Sequence, residues 1–441
     1  SPDKLFFLVS LSGKGQLLKL NTAGEITDRL AITDPRAIAI DWQSSEAWVT
    51  RFVSDPEQAL VYRVGLLSNL SLLETVSIPV DSTTTDTQDR ARGVANYLFD
   101  ITLSPDGQRA LVPSKKDNIL RGQYRDGQNL THDSTLRAII SEIDTTAASH
   151  NKSQEIDFDN RSGARAVTFS PLGDYVFTAL QGSNKIIVSD AYSNSIRVEI
   201  ETELAPQSIV LDTQGRLYAH NFMSRSVSVY DVSTILDSTS FAAPPLASID
   251  VVSDEQLNSD VLLGKQIFYN ADDPRMSRES YISCASCHVD GGQDGMVWDF
   301  TERGEGLRNT ITLEGRSGVG HGNVHWTANF DEIQDFENDI RGGFGGIGFL
   351  TDEQFAVTSL PLGIPKAGLS NDLDALASYV TSLQSFSRNP NRESEITLSE
   401  EAQEGKAIYE SLNCTTCHTG DNLTDGQRHI LYTLVPGSGE G

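Results

Sequence analysis

Three stretches between Phe99 and Ser233 repeat one pattern, and that repeat constrains the fold more than any other feature. They are FDITLSPDGQRALVPS (Phe99 to Ser114), RAVTFSPLGDYVFTALQGSNKIIVSDAYS (Arg165 to Ser193) and QSIVLDTQGRLYAHNFMSRSVSVYDVS (Gln207 to Ser233). Each is an apolar run, a short polar turn and a second apolar run, and the two longer ones add a third. RAIAIDWQSSEAWVTRF (Arg36 to Phe52) is a looser copy, and LFFLVSLSGKGQLLKLNTAG supplies the outer strands of a further one. The Asp and Gly residues of the SPDG and TQG turns provide the backbone conformations that tight hairpins need. A four-stranded unit recurring every ~40 to 65 residues is the signature of a β-propeller, which a β-sandwich lacks. About five blades are legible over residues 1–252, and the propeller is expected to be incomplete at its N-terminal side.

After Ser253 the pattern changes to helical spacing and glycine-rich loops. Apolar residues recur at helical intervals in DEQLNSDVLLGKQIFYN, in NDLDALASYVTSLQSF (Asn371 to Phe386) and in SEEAQEGKAIYESLN (Ser399 to Asn413). The expectation is an all-β propeller over residues 1–252 followed by two mostly α-helical domains, at residues 253–390 and 391–441. SRNPNRES (Ser387 to Ser394) reads as the linker between them.

All four cysteines fall in two copies of Cys-x-x-Cys-His: CASCH (Cys284, Cys287, His288) and CTTCH (Cys414, Cys417, His418). Two thiols at this spacing on a tight turn can each form a thioether to a haem vinyl group, and the adjacent histidine then offers a nitrogen to the iron. Competing readings are a zinc site, which would need four ligands gathered in the fold, and a redox-active dithiol, which would need a βαβ setting. Two c-type haems are the expected cofactors, and the two helical domains are then expected to be class I-like cytochrome c domains.

Composition narrows the partners. The 441 residues carry 61 acidic against 34 basic side chains, a formal charge of −27, which disfavours a phosphate backbone or an anionic membrane surface. No apolar run reaches the ~20 residues of a membrane span. No nucleic-acid partner and no membrane span are therefore expected. The chain shows no export signal at Ser1 and reads as a processed or trimmed polypeptide, periplasmic or extracellular.

GKQIFYNADDPRMSRESYISCASCH, LRNTITL (Leu307 to Leu313), HWTANFDEIQDFENDIR (His325 to Arg341) and GKAIYESLNCTTCHTGDNLTDGQRH, in that order, resemble the bacterial di-haem cytochrome c peroxidase superfamily, which includes the methylamine dehydrogenase maturation enzyme. The propeller in front resembles the YVTN class. The resemblance implies electron transfer between two haems, with peroxidase-type oxidoreductase activity and a redox protein as donor or acceptor. It implies Trp326 as an electron relay between the haems and Asn309 as a calcium ligand. It also leaves gaps. GGFGGIG (Gly342 to Gly348) holds glycine where such peroxidases place a distal acid, and VWDFTERGEGLRN lacks their distal histidine. His325 and His321 are the nearest histidine candidates for the first haem's pocket or iron, with Met296 behind them. The segment that would carry the second haem's distal ligand lies past Gly441, so a further chain segment completing that domain or the propeller is expected. The alternative function is a non-enzymatic electron-transfer or surface cytochrome with a six-coordinate, bis-histidine first haem. GFGGIG fits a dinucleotide-binding pattern but follows an acidic, helical stretch instead of a strand, and it is read as a loop over a haem edge.

Overall fold

The computed structural model describes residues 5–386, 397–427 and 429. Five antiparallel sheets follow one another along the chain. The first has three strands, Phe6–Leu11, Gln16–Asn21 and Ile26–Ala31. The second has four, Pro35–Asp41, Glu46–Arg51, Gln58–Gly65 and Ser71–Pro79. The third is built around Arg109–Asp117 and Leu136–Asp144, the fourth runs from Ala164 to Glu201, and the fifth from Pro206 to Asp250. In the fourth sheet every residue of Tyr175–Leu180 is buried, whereas the outermost strand, Ile196–Glu201, is largely exposed. A strand buried on both faces loses the alternation of a half-exposed one, because it is covered by a neighbouring sheet on each side.

The covering is sequential. Leu17, Val49 and Val64 join sheets one and two; Trp48, Val61, Val112 and Ile139 join two and three. Leu111, Ile140, Val167 and Ile187 join three and four; Phe177, Val188, Leu217 and Tyr230 join four and five. This is a β-propeller of five blades over the described residues. The repeated turns behave as their sequences require: Gly107, Gly173 and Gly215 all take left-handed φ values, +71°, +74° and +76°. Ser104, Ser170 and Asp212 close the same hairpins through backbone bonds to Arg109, Tyr175 and Arg216.

The region after Ser253 corrects the expectation of mostly helical domains. Its longer helices are Ser259–Tyr269, Asn371–Ser382 and Glu400–Ser411. Between the first two lie loops, a two-stranded ribbon (Val297–Phe300 with Gly306–Asn309) and short helical turns, so the chain as a whole is predominantly β. These loops stay buried because carboxylates satisfy their backbone. Glu337, fully buried, accepts from the amides of Phe349 and Leu350, and Asp299 of the ribbon ties the region to the propeller by accepting from the amides of Tyr124 and Arg125. The glycine-rich loop is packed: a Cβ at Gly346 would lie 2.4 Å from the Arg275 carbonyl oxygen.

Helix Ser259–Tyr269 is capped by Asn258, whose side chain accepts from the Val261 amide at 2.9 Å. It presses on Asn371–Ser382 at Gly264, where a Cβ would sit 1.8 Å from the Ala375 carbonyl oxygen. Phe268, Leu373, Leu376 and Tyr379 of this pair share one apolar cluster with Ala205 and Met223 of the fifth blade. The first Cys-x-x-Cys-His region is thus built onto the propeller. Residues Ser387 to Ser394 lie outside the described residues. No described helix is long and apolar enough to cross a membrane.

Candidate functional site

The two Cys-x-x-Cys-His segments fold into the same turn. Each opens with one turn of 3₁₀ helix, Cys284–Ser286 and Cys414–Thr416. In each, the histidine amide donates to the first cysteine's carbonyl at 3.0 Å. Then His288 Nδ1 meets the Gly292 carbonyl oxygen at 3.1 Å, and His418 Nδ1 meets that of Leu423 at 3.1 Å. A carbonyl oxygen only accepts, so Nδ1 carries the proton and the Nε2 lone pair is left for a ligand-binding role. All four cysteines are unbridged.

Their surroundings differ. Beneath the first motif, the propeller supplies Lys115 from the strand Arg109–Asp117. Its Nζ lies 3.0 Å from Asp117 Oδ1 and 3.0 Å from Asp294 Oδ2. Asn96 donates to Asp117 Oδ2 at 2.9 Å and to the Asp294 carbonyl at 2.8 Å, and Trp298 Nε1 donates to Asp294 Oδ2 at 3.2 Å. The Tyr97 hydroxyl donates to the Cys287 carbonyl oxygen at 2.9 Å, with Lys115 over its ring.

Burial dominates the acid–base chemistry here. It pushes the Cys284 thiol up to about 12 and the Cys287 thiol well above its ordinary range, with Asp294 adding to the latter. It pulls His288 down, keeping the imidazole neutral. For Lys115 burial acts downward, but Asp117 and Asp294 outweigh it and hold the ammonium charged. Asp117 is pushed up to about 6 by burial and by Asp294, against the pull of Lys115. Thiols held protonated are unsuited to nucleophilic disulfide chemistry, which needs the thiolate. Nor do the described residues gather the two motifs into one zinc site. Among the described residues, the one group of three metal-capable side chains with mutually close atoms is Cys417, Asp425 and His429, at the second motif alone.

The other sequence-derived candidates are partly brought together. Trp326 is 53% exposed, and its Nε1 donates to the Asn309 carbonyl at 3.0 Å. His325 has a left-handed φ of +65° and both ring nitrogens engaged. Nδ1 meets Asn329 Oδ1 at 2.9 Å and Nε2 lies 3.4 Å from Asp339 Oδ2. Burial acts downward on this imidazole, but Asp339 and Glu305 more than offset it and raise it. Asp339 is also the charge felt at Cys284, which puts His325 on the side of the first motif. His321 stands against Phe386 at 6.3 Å between ring centroids. Met296 is fully buried with Val94, Leu130 and Trp298 in a cluster that Cys287 packs against. Tyr97, Lys115, Asp117 and Asp294 were not legible as site residues. VPSKKDN carries no sequence signal of a site, because Lys115 meets Asp294 only where the motif loop docks on the propeller.

Comparison with known proteins corrects the family resemblance. No family model matches the chain. A curated relative is hydrazine synthase subunit gamma of Kuenenia stuttgartiensis, 28% identical over 176 residues, covering 37% of this chain and 46% of the relative. The chain thus spans less than half of that relative. Among solved structures, Kuenenia stuttgartiensis hydrazine synthase matches at a TM-score of 0.43 with 15% identity, over 53% of this chain and 70% of that one. The β-propeller domain of Myceliophteria_thermophila Cps50 (Swd1) matches at 0.37 with 10% identity, over 56% and 69%. These findings replace assignment to the di-haem cytochrome c peroxidase superfamily with similarity to a hydrazine synthase subunit. The relay role of Trp326 and the calcium role of Asn309 came with that assignment.

Proposed function

We propose that this chain is an exported di-haem c-type cytochrome that transfers single electrons, acting in the periplasm or outside the cell. The observation that carries this reading is the duplicated turn, in which each histidine is tied through Nδ1 to a backbone carbonyl and presents Nε2. Cys284 and Cys287 would hold one macrocycle and Cys414 and Cys417 the other, with His288 and His418 as the iron ligands. Haem iron so held supplies one-electron chemistry. The chain's own residues fix the imidazoles, keep His288 neutral and hold the first motif on the propeller through Tyr97, Lys115 and Asp294. The relative is by name a subunit of a synthase, which supports a setting in an assembly with other chains; the electron donor or acceptor would be a redox protein.

The test is production with a c-type cytochrome maturation system, followed by intact-mass and pyridine haemochrome measurement. Two covalent haems per chain are expected, falling to one in Cys284→Ala/Cys287→Ala and to one in Cys414→Ala/Cys417→Ala. A chain of unmodified mass overturns the proposal. The ferric spectrum then separates two modes of action. Low-spin haems inert to peroxide mark a pure electron carrier, and a high-spin haem that reacts promptly with peroxide marks an oxidoreductase.

A further inference from the structure

Three charged side chains meet out of solvent beneath the first Cys-x-x-Cys-His turn. Asp117 and Asp294 have no exposed surface, and Lys115 is 5% exposed. The one ammonium stands 3.0 Å from an oxygen of each carboxylate, so two negative charges share a single positive one. Two carboxylates in that position do not hold their charges equally, because each repels the other and only one cation serves both.

Hydrogen bonding decides which carboxylate is the weaker acid. Asp294 accepts from the Met296 amide at 3.0 Å and from Trp298 Nε1 at 3.2 Å, besides meeting Lys115. Asp117 accepts from Asn96 at 2.9 Å through Oδ2, while its buried Oδ1 has the ion pair to Lys115 and no hydrogen bond. Burial acts upward on both. At Asp294, Lys115 and the hydrogen bonds outweigh it and hold the carboxyl below its ordinary range, whereas Asp117 stays pushed up to about 6. The other titratable groups facing Asp117 are Tyr97 and Cys287. Burial holds the Tyr97 phenol far above its ordinary range, and a Cys287 joined to haem is a thioether with no proton to exchange.

The network is fastened to the motif. The Tyr97 hydroxyl bonds the Cys287 carbonyl, and the charges of Asp294 and Lys115 act on His288. Buried charges are screened far less than exposed ones, so a change of one charge on an iron held by His288 is felt throughout the network.

We propose that Asp117 is a proton acceptor coupled to electron transfer at the first motif, taking one proton from solvent as one electron from a redox-protein donor reaches a haem held by Cys284, Cys287 and His288. This rests on the function proposed above. The electron goes to the iron and the proton to an oxygen of Asp117, and both leave together on reoxidation. Loss of a positive charge at the iron strengthens proton binding at Asp117, and by reciprocity a protonated Asp117 favours reduction. The second motif, whose helix Glu400–Ser411 has no buried residue, is the control within the same molecule.

The experiment is a redox titration of both haems in the haem-loaded chain, from about pH 5 to about pH 8. The reduction equilibrium of the first haem is expected to fall up to tenfold per pH unit, which is 59 mV for one electron, while that of the second stays level. Asp117→Asn should level the first haem too, and Asp117→Glu should keep its slope. In the wild type, the reduced-minus-oxidised infrared spectrum should gain the C=O stretch of a newly protonated carboxyl, a reading that needs no variant to fold. A level first potential, a slope that survives in Asp117→Asn, or the absence of that carboxyl band overturns the inference. Intact mass separates the two failures: no haem at the first motif defeats the functional reading and this inference with it, whereas haem in place with a level potential defeats this inference alone.

Discussion

The two Cys-x-x-Cys-His turns are backbone copies set in opposite surroundings. Around the first, Tyr281, Ile282, Ser283, Ala285 and Val289 are buried, and Lys115 and Asp294 are buried beneath them. Around the second, His418 is exposed and helix Glu400–Ser411 has no buried residue. The shape of the turn is therefore local, held by its own backbone bonds, whereas its electrostatics are imposed by whatever packs against it.

The largest effect that would test this contrast is expected from Lys115→Met. It leaves Asp117 and Asp294 buried without their cation, at a cost of about 3–5 kcal/mol in urea unfolding. His429→Ala, which removes an exposed ion pair to Asp425 at the second motif, should leave the unfolding midpoint unmoved. Equal responses from the two variants would erase the distinction.

A pH series sharpens it. Asp117 releases its proton at 3.8 when unfolded and at about 6 when folded. Between those values the folded chain retains a proton that the unfolded chain has lost. Unfolding then releases a proton, and stability falls as pH rises through that window. Asp117→Asn should flatten this slope, as measured by urea midpoints from pH 4 to pH 6.5, and an unchanged slope would place the titration elsewhere.

Tyr97→Phe removes the hydroxyl that bonds the Cys287 carbonyl. It is expected to cost about 1 kcal/mol in the same unfolding assay. The two helix caps give the smallest and most local contrast. Asn258→Ala should cost about 1 kcal/mol of global stability, because its helix belongs to the shared core. Ser399→Ala should fray only helix Glu400–Ser411, seen as faster amide exchange there with no change in the global midpoint.

Much of the architecture was legible because its causes are local. The SPDG and TQG turns announced left-handed glycines, and Gly107 and Gly215 adopt them. The three helical runs became helices. The loop-rich stretch between Cys284 and Asn371 was misjudged because its order comes from single carboxylates within it, Glu337 on the Phe349 amide and Asp299 on the Tyr124 amide of the propeller, which no periodicity records. His325 entered as a candidate for the first haem's pocket through the family resemblance. That both its nitrogens are taken, by Asn329 and Asp339, depends on how the loop closes.

By itself the sequence determined the propeller repeat and the two cysteine–histidine turns, since both are set by contacts within a few residues. Only the tertiary structure decided that Tyr97, Lys115 and Gln181 of the propeller close over the first turn and leave the second open. The reason is physical: the cost of burying a charge or a donor depends on what lies across from it, and in this fold those groups are more than a hundred residues apart in the chain for pairs such as Lys115 and Asp294.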